Sequence, residues 1–277
     1  LLMARHQAAV LGKPIAHSLS PLLHNAGYRA LGLTQWEYTR IECDEHELPQ
    51  VVVGADASFR GFSVTMPGKF AALAVATEST DRARLIGSAN TLVRSGDGWR
   101  ADNTDCDGVT GAIRTLFDAP SPQLGTAVII GAGGTARPAL WALAELGVSH
   151  VTIINRSDRS RELADLIAAV GLQVDFVPYD DTISTTCATA DVIISTVPAA
   201  GIAEHVDKLA QAPLLDVIYD PWPTPLVTAA RNRHLPAVGG HVMLAHQAYG
   251  QFEQFTGYPA PHEAMWAALT SCGPLSQ

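Results

Sequence analysis

The first residues with a chemistry attached are three glycines and an alanine that follow an apolar run. In the stretch TAVIIGAGGTARPALWALAELGVSHVTIINRSDR, from Thr126 to Arg159, the run Val128-Ile129-Ile130 stops at Gly131, and Gly133, Gly134 and Ala136 complete a G-x-G-x-x-A pattern. This is the pattern of a nucleotide-binding turn. Gly131 permits the tight turn, Gly133 lets the backbone approach a pyrophosphate, and Ala136 is small enough for the next helix to lie close on the strand. The helix start then faces the phosphates with free N–H groups and the positive end of its dipole. Leu140, Leu143, Ala144 and Leu146 recur at helical spacing, Gly147 stands at the C-cap, and Val151 to Ile154 form a second buried strand. At the end of that strand an NAD-preferring protein usually carries a carboxylate for the ribose 2′-OH. Here Asn155-Arg156-Ser157 offer a cation and two small polar groups suited to a 2′-phosphate, so NADP is expected, while Asp158 leaves NAD open.

Four other stretches place reactive or polar groups at element ends. The loop Ile15 to Pro21 carries Ser18 and Ser20; Pro21 suits a helix's first turn with Ser20 as its N-cap, and Ser18 has no such structural excuse. Gly61 to Thr65 reads as a strand running into Met66-Pro67-Gly68-Lys69 at a helix start. A lysine there opposes the helix dipole, a local inconsistency that marks Lys69 as a functional candidate. Ile86 to Val93 reads as an apolar strand with polar Asn90 at its mouth. After the turn Gly96-Asp97-Gly98, a return strand Trp99 to Asp102 opens into Asn103-Thr104-Asp105-Cys106-Asp107-Gly108, and any of these acids serves as an N-cap for a helix reaching Phe117.

These groups need two domains to hold them. The chain has 277 residues, 47% hydrophobic and 16% charged, enough for two well-buried cores in a compact soluble protein. Strands at Gln7 to Leu11 and Trp36 to Cys43 precede the Lys69 and Asn90 segments, an alternation of strand and helix that makes an α/β domain. Beyond the nucleotide-binding turn the alternation continues: helix Arg159 to Val170, strand Gln173 to Val177, strand Asp191 to Ile194 ending in Ser195-Thr196-Val197-Pro198, and Leu214 to Ile218. The last of these leads into Tyr219 to Pro225, whose prolines stiffen the loop and whose Thr224 suits a helix cap. Gly239 to Gln247 opens a helix through Phe255, and a final helix covers His262 to Leu269. A net charge of −9 without a basic run argues against nucleic acid or an anionic membrane as partner. Cys43, Cys106, Cys187 and Cys272 lack metal-ligand or disulfide-framework spacing, which fits a reducing, cytoplasmic location. The N-terminus has no cleavage signal, Leu1-Leu2 before Met3 reads as an extension or alternative start, and no run reaches the roughly 18 apolar residues of a membrane span.

In combination, S-L-S-P at Ser18 to Pro21, S-V-T-M-P-G-K ending at Lys69, S-A-N-T at Ser88 to Thr91, D-N-T-D at Asp102 to Asp105, G-A-G-G-T-A, N-R-S, the Tyr219 to Pro225 loop and M-L-A-H-Q-A resemble shikimate dehydrogenase over nearly the whole chain. The resemblance implies an α/β architecture: an N-terminal α/β substrate domain (1–105), a doubly wound Rossmann NADP domain (106–238) and C-terminal helices (239–277) returning to the first domain, with substrate in the cleft. It implies reversible reduction of 3-dehydroshikimate to shikimate by NADPH in aromatic amino-acid biosynthesis, by a monomer or homodimer without metal. Ser18 and Ser20 match the carboxylate-binding serines, and Thr65, Asn90 and Gln247 the contacts to the ring hydroxyls. Tyr219 matches a tyrosine closing the carboxylate site, and Lys69 and Asp105 the catalytic pair. The cofactor set is Gly131, Ala132, Gly133, Gly134, Thr135, Ala136, Asn155, Arg156, Ser157, Thr196, Val197, Gly240 and Met243, with Arg159 or Arg161 open as a second 2′-phosphate contact. Ser63, where asparagine is more common, Cys106 and Val242 depart from the pattern without removing a catalytic group.

Two rivals share this plan. An NAD-dependent quinate/shikimate dehydrogenase of catabolism rests on Asp158, against which stand the paired serines and Arg156. A methylenetetrahydrofolate dehydrogenase does not suit the substrate motifs. From another class, a dinucleotide-binding sensor without turnover is countered by the presence of both Lys69 and Asp105.

Overall fold

The computed structural model describes residues 6–271 and Leu275; Cys272 and Leu1-Leu2-Met3 lie outside the described residues. The chain divides into two compact units, 1–104 with 247–277, and 105–246. The passage back to the first unit is at Gln247, inside a helix, and not at the 238/239 boundary expected from the sequence, because the strand ending at Gly239 and the start of the following helix belong to the second unit.

The first unit runs β1 (His6–Gly12), α1 (Ser20–Ala30), β2 (Trp36–Glu42), α2 (Leu48–Val53), β3 (Phe59–Val64), α3 (Lys69–Val75), β4 (Glu78–Ser79), α4 (Asp81–Ile86), β5 (Thr91–Ser95) and β6 (Gly98–Asp102). Its sheet has the order β2-β1-β3-β5-β6-β4. β1 lies parallel to β2 and β3, whereas β5 is antiparallel to β3 and β6. The strand β1 is buried from Ala8 to Gly12, as a central strand covered on both faces must be, while β2 alternates buried and exposed residues at the sheet's edge. Leu11, Phe62, Val64, Leu92 and Trp99 form one core of this unit. Register aligns Leu11 with Val64, Ser63 with Thr91, and Thr91 with Asp102. The loops after β1, β3 and β6 and the loop before β5 therefore leave from one edge.

The second unit contains α5 (Asp105–Phe117), β7 (Thr126–Ile130), α6 (Ala136–Glu145), β8 (His150–Ile154), α7 (Ser160–Val170), β9 (Gln173–Val177), α8 (Ile183–Ala188), β10 (Val192–Ser195), α9 (Ala199–Ile202), a 3-10 turn (Ala203–His205), α10 (Val206–Leu209), β11 (Leu214–Asp216), α11 (Pro225–Asn232) and β12 (Ala237–Gly239). Its sheet is parallel throughout, in the order β12-β11-β10-β7-β8-β9, which is the doubly wound arrangement with its reversal between β7 and β10. Side chains of β7 alternate between faces, so Val128 and Ile130 join Ile183, Ile202, Leu209 and Leu226 in one core. The helix α12 (Gly240–Thr256) begins in this unit, and α13 (His262–Thr270) packs on α1 in the first. Among the described residues no helix is long and apolar enough to cross a membrane.

One local expectation changes. Ile86 to Asn90 is not strand: Ile86 ends α4, Gly87 closes that helix in the left-handed region (φ 81°), and β5 starts at Thr91. The α4 helix was hidden because the single segment Asp81 to Ile86 is too short for an apolar period to show.

At the end of β6, Asp102 is 3% exposed and accepts from Arg82 Nε (2.8 Å) and Nη2 (2.8 Å), Thr80 Oγ1 (2.8 Å) and Gln254 Nε2 (2.8 Å). Burial alone would push its carboxyl up. The Arg82 hydrogen bonds and charge, with Gln254 and Thr80, outweigh that and hold it well below the usual carboxylate range. Asp102→Ala should lower stability by about 3–5 kcal/mol in urea unfolding at pH 7, the usual cost of breaking a buried ion pair. The pair's contribution is complete above the unfolded pKa of ~3.9 and lost as pH falls toward the lower folded value, so wild-type and variant curves should converge in acid. A difference that persists unchanged to about pH 2 would rule out the ion pair as its source.

Candidate active site

In the first unit Ser20 does not take the capping role that Pro21 suggests for it. Helical backbone already begins at Leu19, the N-cap residue, so Ser20 is the first residue inside α1 and not its cap. Ser20 is buried. The local turn bond belongs to Ser18, whose Oγ accepts from the Ser20 backbone N–H at 3.3 Å. Arg40 pins the loop by donating from Nε (3.1 Å) and Nη2 (2.6 Å) to the Ser18 carbonyl.

Lys69 is the first residue of α3, half-buried, on a helix with no acidic residue in its first turn and no side-chain cap. Its carbonyl accepts from Ala89 N–H (3.0 Å), which sets it beside the Asn90 segment, and Thr65 N–H donates to the Leu11 carbonyl (2.9 Å) at the end of β1. Asn90 is 2% exposed. Its Oδ1 accepts from Thr104 N–H (2.7 Å) and Thr91 Oγ1 (2.8 Å), while Nδ2 donates to Thr104 Oγ1 (2.9 Å) and more distantly to Gln247 Oε1 (3.4 Å). Ser18, Ser20, Thr65, Lys69 and Asn90 thus issue from one edge of a single sheet, with Gln247 of α12 against Asn90. Sequence reasoning missed Thr104, Tyr38 and Gln251. For Gln251 a signal existed: it follows Gln247 by four residues, on the same helix face.

The second unit carries the remaining candidates. Gly131 has φ 97°, and a Cβ there would come within 2.5 Å of Thr196 Oγ1 and 2.8 Å of Val197 Cγ2. Thr196 ties this corner by donating from N–H (2.9 Å) and Oγ1 (2.8 Å) to the Ile130 carbonyl. Ala132 and Ala136 are buried. Gly133 and Gly134 are exposed, and a Cβ on either would meet nothing within 4 Å, so backbone lies open before the start of α6. Thr135 is the N-cap residue without a side-chain cap, and the first turn holds no acid. These features fit a pyrophosphate. Asn155 Nδ2 donates to the Ser157 carbonyl (2.9 Å), and exposed Arg156 reaches the Gly201 carbonyl through Nη2 (3.2 Å). The neighbouring Asp158 is engaged at the start of α7, where Oδ1 accepts from Ser160 N–H (2.8 Å); bonds from Ser160 hold its carboxyl below the usual range. Arg159 is paired with Glu162 (Nε to Oε1 3.0 Å), while Arg161 is exposed. Gly240 starts α12 where a Cβ would overlap the Val217 carbonyl, with Tyr219 alongside, and Met243 is buried one turn on. Asp105, the first residue of α5, is buried.

Three segments of the chain match known families. Residues 10–92 match the family described as shikimate dehydrogenase substrate binding domain, residues 118–214 shikimate / quinate 5-dehydrogenase, and residues 240–270 shikimate 5'-dehydrogenase C-terminal domain. A shikimate dehydrogenase (NADP(+)) of Methylobacterium radiotolerans is 39% identical, over 94% of this chain and 94% of its own length. The crystal structure of Mycobacterium tuberculosis shikimate dehydrogenase is similar with a TM-score of 0.90 at 51% identity, covering 96% of this chain and 100% of that one. The pentafunctional AROM polypeptide of Saccharomyces cerevisiae is 32% identical over 94% of this chain, which spans only 17% of that polypeptide's length.

The two glycines of the turn separate folding from binding. Gly131→Ala should cost about 1–3 kcal/mol of stability, since the left-handed backbone and the Thr196 contact both oppose a side chain. Gly133→Ala should leave the melting temperature within error while weakening dinucleotide binding at least about tenfold by calorimetry, because its methyl enters the open space alone. Equal affinity in wild type and Gly133→Ala would remove the phosphates from this turn.

Proposed function

The chain belongs to the shikimate dehydrogenase family, and we propose that it catalyses the reversible NADPH-dependent reduction of 3-dehydroshikimate to shikimate, a step of aromatic amino-acid biosynthesis. The observation that carries this reading is the gathering, on one sheet edge, of a half-buried lysine with hydroxyl and amide groups that have no common structural purpose. Ser18 and Ser20 bind the substrate carboxylate, with Tyr219 helping to close over it. Thr65, Asn90 and Gln247 bind the ring hydroxyls. Asn90 does so as a donor, because both sides of its Oδ1 are taken and its weakest bond is the 3.4 Å one from Nδ2.

The open backbone of the Gly131 turn and Arg156 would hold NADPH, which would supply the hydride for the ketone carbon. As negative charge grows on the carbonyl oxygen, the Lys69 ammonium stabilises it and donates the proton. Asp105 is the acidic partner of that lysine in the reaction. Arg156 and Ser157 hold the 2′-phosphate, and the commitment of Asp158 to Ser160 leaves it poorly placed to bind a ribose hydroxyl, which supports NADP over NAD. The reading includes a cytoplasmic protein, supported by the buried free thiols of Cys43, Cys106 and Cys187, acting as a monomer or homodimer on a small molecule.

Lys69→Ala should lower kcat by about 10²–10⁴-fold with a much smaller change in the shikimate KM. Asp105→Asn should also slow turnover, and the double variant should lose less than the product of the single losses because the groups act as one unit. Weakened shikimate binding with near-wild-type turnover at saturation would make Lys69 a ground-state clamp instead. Arg156→Ala should raise the KM for NADP roughly 10–150-fold and that for NAD little, as expected for loss of one charge-assisted phosphate contact. Assays of shikimate and quinate, each with NADP and NAD, decide between this reading and an NAD-dependent quinate enzyme: a wild type that prefers NAD overturns the cofactor assignment.

A further inference from the structure

A buried polar chain runs behind the candidate substrate groups of the first unit. Tyr38 donates to Ser63 Oγ (2.6 Å), and Ser63 donates to Gln251 Oε1 (2.7 Å). Gln251 Nε2 donates to the Asn90 carbonyl (2.9 Å) and to Thr91 Oγ1 (3.0 Å), and Thr91 donates to Asn90 Oδ1 (2.8 Å).

The direction of every bond follows from counting protons. Gln251 Oε1 can only accept, so the one Ser63 proton goes to it, and Ser63 in turn accepts from Tyr38. Gln251 Nε2 can only donate, so Thr91 accepts there and keeps its own proton for Asn90 Oδ1. Flipping the Gln251 amide would set its oxygen against the Asn90 carbonyl, which disfavours the reversed arrangement. The chain is also held from outside. The Tyr38 ring stacks on His24 at 4.2 Å with 9° between planes, and His24, pushed down to about 3 by complete burial, is neutral. Ser63, Gln251 and Asn90 are all buried, so water does not compete for these bonds.

We propose that Tyr38, Ser63 and Gln251 are positioning residues of the substrate site. They act through Asn90, fixing its amide orientation, and so hold the ring-hydroxyl end of the site in place. The inference rests on the reading above that Asn90 binds substrate. Sequence spacing hides it, because Tyr38, Ser63 and Gln251 come from β2, β3 and α12.

Steady-state kinetics on the full chain, with shikimate and NADP varied separately, tests it in Tyr38→Phe, Gln251→Leu and the double variant, alongside melting temperatures. Each single change should raise the shikimate KM about 5- to 30-fold, as loss of one or two hydrogen bonds' worth of orientation predicts, and leave the NADP KM within about twofold. The double variant should lose less than the product of the singles, since both cut one chain. Should Gln251→Leu fail to fold, Tyr38→Phe, which keeps the stacked ring, decides alone. A lowered melting temperature with an unchanged shikimate KM, or equal losses for both ligands, overturns the proposal. If the wild type turns over no shikimate, the functional reading fails separately. Shikimate calorimetry on the same variants then measures the positioning effect directly, and wild-type binding that the variants match overturns the proposal there too.

Discussion

The first unit depends on one constraint: the sheet edge that must offer polar groups to a ligand is otherwise buried, so each polar atom there needs a partner from the protein itself. Asn90 shows how tightly this is met. Its Oδ1 accepts from Thr104 N–H, Thr91 Oγ1 and, at 3.3 Å, Thr104 Oγ1, and its Nδ2 donates to Thr104 Oγ1 and, at a weak 3.4 Å, to Gln247 Oε1. An amide so enclosed has one orientation, and the same bond to Thr104 N–H fixes the peptide that leads into Asp105. Positioning of the reactive groups is thus a by-product of satisfying buried hydrogen bonds, which cost about 1–3 kcal/mol each when left unmade.

The second unit follows a complementary rule, leaving polar backbone open where a charged ligand would complete it. The helix start at Thr135 has neither side-chain cap nor acid, and Gly133 and Gly134 keep the space before it clear. Thr80 caps α4 through Ala83 N–H and Thr224 caps α11 through Val227 N–H, whereas α1, α3 and α7, like α6, have no side-chain cap. What sets the start of α6 apart is the open backbone of Gly133 and Gly134 before it. The same contrast applies to Asp158, which spends its carboxylate on Ser160 and leaves the adjoining Arg156 as the charged group at the strand end.

Legibility in the sequence followed the range of the interactions. The Gly131 turn, the Rossmann strands and the placing of Lys69 at a helix start are local patterns, and they read correctly to within a residue or two. The capping expected of Ser20 was misread because capping depends on where helical backbone begins, and that point is Leu19, one residue earlier. Asp102 looked like one more acid in a D-N-T-D string. Its partners Arg82, Thr80 and Gln254 come from α4, the loop before it and α12, and no spacing rule links them. The return to the first unit inside α12 was equally invisible, since the helix is continuous and its apolar pattern does not change where its surroundings do.

One device recurs in both units and shows why a shared geometry need not give a shared chemistry. A buried aspartate at a strand's end accepts from a threonine that also caps a helix, an earlier one for Asp102 and the following one for Asp216: Thr80 to Asp102 at 2.8 Å, and Thr224 to Asp216 at 2.7 Å. Asp216 also accepts from Ile218 N–H at 3.1 Å, bracketing the loop that carries Tyr219. Arg82 lies against Asp102 and holds its carboxyl low. Asp216 has only neutral donors, and burial, outweighing them, pushes it up to about 6. The two therefore act oppositely with pH. Asp102 contributes stability that is lost in acid, whereas Asp216, binding its proton more tightly when folded, loses stability as pH rises from about 4 through about 6. The cation, and not the strand, threonine or helix, decides which of the two a buried aspartate becomes.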